Sequence, residues 1–283
     1  MKNIIVCVKQ VPNTTNVKMD PKYHTLVREG ISSILNPHDK TAIIAALCCK
    51  RRYGFKIGVL TMGPPHAKEI LIDCLKMGID EAFLLTDEKL IGSDTLCTVI
   101  ALSAMIKKIG YKNVFCGQES IDSSTGHVGP GLAELLNIPQ VTHADEILEI
   151  INGELIKVKA TVGTYTNVLE IKLPVVISFN KSTNEPEKVK ETIDETLIKT
   201  YNLKDIGINE DEVGIYGSPT WVTDINIDEN ALNFLRVPSN LSAEQRIRFI
   251  LSGGIVKKKN QVILKGMSKN IIARLVKVLK VYK

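Results

Sequence analysis

The chain has 283 residues, enough for one large domain with an extension or for two small domains. Its 44% apolar residues can bury a sizeable core without staples, and aromatics at only 5% argue against a stacking platform for single-stranded nucleic acid. The net charge of +5 is uneven, because Leu251–Lys283 holds nine Lys or Arg residues and no acid while the rest of the chain is close to balanced.

The short apolar run before Lys9 is too short for the core of a secretory leader, and Asn3–Val8 reads as a first strand. No stretch approaches the ~20 apolar residues of a membrane span. The chain is therefore expected to stay in the cytoplasm without stable membrane insertion. Further strands are predicted at Lys56–Thr61, Ala82–Leu85 and Asn113–Cys116, with helices over Asp39–Arg52, Pro65–Met77 and Asp94–Ile109. In the last of these, Leu96, Ile100, Leu102 and Ile106 form a stripe of helical period expected to face the core. Continuous apolar strands alternating with helices predict an α/β class, a mostly parallel sheet covered on both faces. Antiparallel additions follow. Ile147–Ile151 and Leu155–Val162 flank Asn152-Gly153, whose positive φ values suit a type I′ hairpin turn. Thr166–Ile171 and Val175–Asn180 read as more strands, split at Pro174. Residues 181–211 turn polar and read as a surface loop with a helix, and Gly214–Pro219 is a turn-rich crossing that ends the main domain.

Cys7, Cys48, Cys49, Cys74, Cys97 and Cys116 form no C-x-x-C pair, and the five histidines show no paired ligand spacing. A metal site is not expected, and the thiols read as reduced and buried.

Chemistry concentrates in Asn113–Glu134 (NVFCGQESIDSSTGHVGPGLAE). A strand ends at Gly117, a small polar loop follows, and a helix starts near Gly129–Pro130, with Pro favoured in the first turn. Leu132, Leu135 and Leu136 are then expected to face the sheet. Ser123, Ser124, Gly126 and Gly129 let backbone N–H groups approach an anion, and the helix dipole adds positive potential there. At the carboxyl ends of parallel strands this is the expected place for a nucleotide phosphate. An ordinary strand-to-helix connection has the same composition, and the loop is neither a Walker loop nor G-x-G-x-x-G.

The segment resembles the signature G-(K/R)-Q-(A/S)-I-D-G-D-T-A-Q-V-G-P of electron-transfer flavoprotein β-subunits, matched at Gly117, Ser120, Ile121, Asp122, Thr125, Val128, Gly129 and Pro130. Val6–Pro12 (VCVKQVP), Leu35–Asp39 (LNPHD), Thr61–Pro64 (TMGP), Gly92–Thr95 (GSDT), Leu173-Pro174, Asn184–Pro186 (NEP) and Gly217–Thr220 (GSPT) resemble the family's other motifs, in order, over roughly residues 1–222. The resemblance implies a Rossmann-like, adenine-nucleotide-binding domain over 1–222. A C-terminal extension, 223–283, would pack on a larger α-subunit. It implies a subunit of a heterodimeric electron carrier. In one branch of the family the β-subunit holds a structural AMP. In the other it holds a second FAD that accepts hydride from NADH and splits the electrons between two acceptors. One is a high-potential, acyl-CoA dehydrogenase-type partner and the other is ferredoxin or flavodoxin. Val128-Gly129-Pro130 and Asp39 favour FAD, with AMP as the alternative; Asp39 reads equally as a first-turn helix acid. A lone nucleotide-binding regulatory module of the same broad fold is a third reading.

On that resemblance Cys7, Asn36, Asp39 and Met62 would line the adenine or ribose side. Gly117, Gln118, Glu119, Ser120, Ile121, Asp122, Ser123, Ser124, Thr125, Gly126, His127 and Val128 would hold the pyrophosphate. Asp94, Thr95 and Thr98 would lie near the flavin ring. No catalytic acid is implied, since the flavin carries the redox chemistry. The chain departs from the signature at Gln118, where a basic residue is usual, and at Glu119, Ser124 and His127, so one positive charge near the phosphates is lost. Ser268–Tyr282 puts Ile271, Ile272, Leu275, Val276 and Leu279 on one helical face behind a Ser268 cap, with basic residues opposite. This arm is expected to pack on the α-subunit rather than on a membrane.

Overall fold

The computed structural model describes residues 3–13, 18–19, 26–27 and 32–220. The basic C-terminal region and its amphipathic stretch lie outside the described residues. The elements in chain order are β1 (Asn3–Cys7), β2 (Gln10–Pro12), β3 (Lys18–Met19), β4 (Leu26–Val27), β5 (Ser33–Leu35), α1 (Pro37–Tyr53), β6 (Lys56–Met62), α2 (Lys68–Lys76) and β7 (Glu81–Leu85). They continue with α3 (Thr95–Ile109), β8 (Asn113–Gly117), α4 (Val128–Leu136), β9 (Gln140–Ile151), β10 (Leu155–Val162), β11 (Tyr165–Lys172), β12 (Val176–Phe179), β13 (Ile198–Tyr201), α5 (Leu203–Ile206) and α6 (Gly214–Gly217).

Nine strands form one sheet in the order β11-β10-β9-β12-β8-β1-β6-β7-β13. From β9 through β12, β8, β1, β6 and β7 to β13 every pairing is parallel. Successive residues of β1 explain why both faces must be covered. Ile4 and Val6 join one buried apolar cluster with Ile43, Ala46, Leu71 and Cys74 of α1 and α2, while Ile5 and Cys7 join another with Leu102, Met105 and Leu132 of α3 and α4. Side chains alternate across a strand, so a strand apolar at every position needs helices above and below. Phe115 of β8 and Phe179 of β12 meet edge to face at 5.3 Å in the middle of the first cluster. The expected α/β class is therefore what the chain adopts.

The helix ends follow from local chemistry. Pro37 opens α1, Lys50, Arg51 and Arg52 occupy its last turn, and Gly54 closes it at φ 72° with its N–H on the Lys50 carbonyl. This arrangement satisfies the orphan carbonyls and opposes the dipole. Asp94 caps α3 by accepting from the Cys97 N–H at 3.0 Å. The expected Pro65–Met77 helix begins with a tighter 3₁₀ turn at Pro65–Ala67 before α2.

Three expectations are corrected. Leu96 is exposed on α3; the face that packs is Cys97, Val99, Leu102, Met105 and Ile106. Leu135 is exposed on α4, whose packing residues are Gly129, Leu132 and Ala133. In both helices the apolar residue lies one position off the face that the actual neighbours select. The polar stretch 181–211 contains β13, paired with β7 from Ile198↔Ala82 to Tyr201↔Leu85. A four-residue edge strand carries too little alternation to stand out.

The hairpin prediction holds. Asn152 and Gly153 take φ 52° and 71°, and the Glu154 N–H closes the turn on the Ile151 carbonyl at 3.0 Å. β9 also bends. Straight, its twelve residues would extend about 36 Å at ~3.3 Å per residue. Yet β11, whose end pairs with the far end of β10, is joined by three residues to Val176, which pairs with Gln140 at the start of β9. Three linking residues reach about 14 Å at most. The turn falls at His143, which adopts φ 55°. The ribbon beyond it lies back along α1, where the Ile150 N–H donates to the Tyr53 hydroxyl at 3.1 Å.

Candidate functional site

The register sets the carboxyl edge. Cys7 pairs with Leu60 on one side and Cys116 on the other, and Cys116 with Ser178. Beyond that row β8 runs into the loop 118–127 and then α4. Gly129 in the first turn of α4 sits where an added Cβ would collide with the Ser178 hydroxyl. Only glycine lets the helix start this close to the strands. His127 stands at the N-cap without a side-chain cap bond. Among the described residues, the amides of Thr125, Gly126, His127, Val128 and Gly129 meet no acceptor. Five such donors at the start of a helix form an anion-accepting cradle.

The loop is held from beneath by a set of buried polar groups. Asn36 donates to the Glu119 carbonyl at 2.9 Å and accepts from the Ile121 N–H at 3.3 Å. Asp39 accepts from the Gly117 N–H at 3.1 Å, the Lys9 N–H at 2.7 Å and the Asn36 amide at 3.0 Å. Both side chains are buried, at 1% and 5% exposure. Burial pushes the Asp39 carboxyl up to about 7, against the opposing pull of those donors. Gly117 has no room for a Cβ, which would meet Asp39 and the His38 side chain. Lys9 reaches up with its ammonium to Asp122 at 2.7 Å, Ser120 at 3.3 Å and Ser123 at 3.4 Å.

Inside the loop, Ser124 takes φ 49° and folds back so that its N–H donates to the Ser120 carbonyl at 2.8 Å. Ser120 and Ser123 share a hydroxyl bond of 2.8 Å. Gln118 donates its N–H to the Phe179 carbonyl at 2.8 Å and accepts from the His143 N–H at 2.8 Å, anchoring the loop to β12 and β9. The Glu119 carboxylate lies 4.0 Å from the His38 ring, whose pKa is lowered by burial. Ile121, Ser123, Ser124, Thr125 and His127 are exposed.

The remaining expected residues lie on neighbouring elements. Cys7 ends β1, buried, and burial holds its thiol well above the usual range; Cys116 beside it is pushed up to about 12 for the same reason. Met62 ends β6, half-buried. Asp94, Thr95 and Thr98 sit at the start of α3, with the Asp94 carboxylate accepting from the Thr220 hydroxyl at 2.6 Å. Thus Asn36, Asp39 and the loop come together in one hydrogen-bonded unit, with Cys7 and Cys116 under it. Asn36 and Asp39 use their polar atoms to brace the loop. Sequence reasoning missed Lys9, His38, Ser178 and His143 as parts of this unit. Lys9 and Ser178 carried no local signal, because they reach the loop only through strand order. Among the described residues no group of three potential metal ligands occurs, and no helix is long and apolar enough to cross a membrane.

Comparison with known proteins gives a consistent assignment. The family model described as the electron transfer flavoprotein domain matches residues 24–202. The chain is 43% identical over 225 residues to the electron transfer flavoprotein subunit beta of Clostridium acetobutylicum, covering 78% of this chain and 86% of that one. It is 41% identical over 225 residues to the caffeyl-CoA reductase-Etf complex subunit CarD of Acetobacterium woodii, covering 77% and 85%. It is 36% identical over 233 residues to protein FixA of Azorhizobium caulinodans, covering 78% and 82%. With a small polar strand-to-helix loop at the carboxyl edge of a doubly covered parallel sheet and this extent of similarity, the chain belongs to the electron transfer flavoprotein family, among its electron-transferring beta subunits.

Proposed function

We propose that this chain binds FAD at the loop 117–128 and works in a heterodimer with a large α-subunit, taking electrons from NADH and dividing them between an acyl-CoA dehydrogenase-type acceptor and ferredoxin or flavodoxin. The observation that carries the binding site is the run of five acceptor-less amides, Thr125–Gly129, at the start of α4. A diphosphate offers these donors the acceptors they lack. Gly129 lets the phosphates approach the strand ends, and the neutral thiols of Cys7 and Cys116 keep negative charge off the wall beneath them. Asn36 and Asp39 hold the loop's backbone in register with β8. When bound, FAD supplies the hydride and single-electron chemistry, and the protein sets its position and electrostatics.

The choice of FAD over AMP is supported by the Val128-Gly129-Pro130 ending of the motif. Similarity to a subunit of a caffeyl-CoA reductase-Etf complex supports a reductase-type partner. The test is the nucleotide content of the chain co-expressed with its large subunit. Two FAD per heterodimer, bleached by NADH alone, is the expected result. One FAD with one AMP would overturn FAD in this chain, and no nucleotide at all would overturn the site.

A further inference from the structure

Gln118 follows β8 directly, and both its main chain and its side chain are tied down. Its N–H donates to the Phe179 carbonyl at 2.8 Å, and its carboxamide oxygen Oε1 accepts from the His143 N–H at 2.8 Å. A main-chain N–H can only donate, so this bond decides which end of the carboxamide is oxygen and which is nitrogen. Nε2 is left at the other end. It lies 3.6 Å from the point that a Cβ on Gly126 would occupy, and among the described residues it meets no acceptor. Gly126 is itself one of the residues of the cradle whose amides lack acceptors. A neutral side chain thus sets its own N–H donors beside the cradle.

The His143 N–H is in turn held by a clamp. His143 takes φ 55°, which a residue with a Cβ adopts only where its surroundings enforce it. Asn180, just past β12, does so. Its N–H donates to the Ala144 carbonyl at 2.8 Å, and its Nδ2 donates to the His143 carbonyl at 3.0 Å and the Asp145 carboxylate at 2.8 Å. That leaves Oδ1 to accept from the His143 ring Nδ1 at 3.2 Å. These contacts onto three consecutive residues fix the bend of β9 and, through it, the direction of the Gln118 carboxamide.

We infer that Gln118 is the side-chain phosphate donor of the loop 117–128, and that the bend at His143, clamped by Asn180, positions it. The inference rests on the nucleotide-binding reading above and deepens it. The loop has no Lys or Arg, and at this point the anion is met by an oriented neutral dipole. Gln118 touches the ligand, whereas His143 and Asn180 act through it, so their effect vanishes once the carboxamide is gone.

In the experiment, the full-length chain purified with its large subunit, and stripped of the nucleotide in this chain, is titrated calorimetrically with AMP and with adenosine, which lacks the phosphate. Wild type binds AMP more tightly than adenosine. Gln118→Met weakens AMP about tenfold, the scale of one lost hydrogen bond to a charged group, and leaves adenosine within about twofold. Gln118→Glu keeps an acceptor for the His143 N–H but puts a carboxylate beside the phosphate, and weakens AMP further than Gln118→Met does. Asn180→Ala weakens AMP about threefold when Gln118 is present and less than about 1.5-fold in the Gln118→Met background, the non-additivity of coupled residues. Asn180→Ser, a milder change, serves the same cycle where Asn180→Ala does not fold. Equal losses for AMP and adenosine in Gln118→Met would reduce Gln118 to a structural residue and overturn the inference, as would an unchanged AMP affinity or a Gln118→Glu variant that binds AMP like wild type. An Asn180 effect that persists in full without the carboxamide would overturn the positioning role of the bend. A wild type that binds neither probe overturns the nucleotide reading itself, which is a different failure from AMP binding that ignores Gln118.

Discussion

Asp39 joins three chain segments at one carboxylate, taking N–H groups from Lys9, Asn36 and Gly117. The sequence shows a first-turn acid after Asn36-Pro37, and that much was legible. Its partners at Lys9 and Gly117, 30 and 78 residues away, were not, because only the parallel pairing of β1 with β8 brings them together. Its burial has a measurable signature. The folded-state pKa of about 7 lies above the ordinary aspartate value of 3.8, so between those values the native state holds a proton that the unfolded chain has lost. Stability from this group is therefore fullest below about pH 4 and falls as pH rises toward 7. Against Asp39→Asn, which does not titrate, the wild-type advantage in urea unfolding should shrink by about 2–3 kcal/mol from pH 5 to pH 8, at about 1.4 kcal/mol per unit. A difference that stays flat or grows over that range would mean that the three donors keep the carboxylate ionised throughout.

At the scale of elements, legibility followed how local the determinants are. The Asn152-Gly153 turn was readable, because it is decided within a few residues by backbone dihedral demands, whereas the cap at Asp94 was not read from the sequence. The inward faces of α3 and α4 were misread at Leu96 and Leu135, since which face is buried depends on where the sheet lies. β13 was missed because its partner is β7, on the far side of two helices and five other strands in the chain. Asp94 shows how a local device becomes tertiary. It caps Cys97 and also accepts from the Thr220 hydroxyl at 2.6 Å and the Thr220 N–H at 3.2 Å, while its own N–H donates to the Ser218 hydroxyl at 2.8 Å. Asp94→Ala should destabilise the protein by about 1–2 kcal/mol, the usual range for a lost cap, read as a lower thermal midpoint. An unchanged midpoint would show that water replaces the cap without cost.

For the whole molecule, the doubly covered sheet was legible from alternating strand and helix patterns, but its strand order was not. β12, made after the entire β9–β11 ribbon, enters between β8 and β9, and nothing in its four residues VISF announces a central position beyond being wholly apolar. The core records that position. Phe179→Ala, which removes the partner of Phe115 from the middle of the sheet, should cost about 3–5 kcal/mol in equilibrium unfolding; a loss under about 1 kcal/mol would mean that the ribbon collapses to fill the space. The same insertion orders events in time. As the chain leaves the ribosome, β8 is complete with one edge open, and it stays open until Val176–Phe179 has been synthesised. The loop that follows β8 is tied through Gln118 to Phe179 and to His143. The loop after β8 therefore waits for a strand made some fifty residues later, and reaching its final shape is a late event in biogenesis, not a nucleus for it.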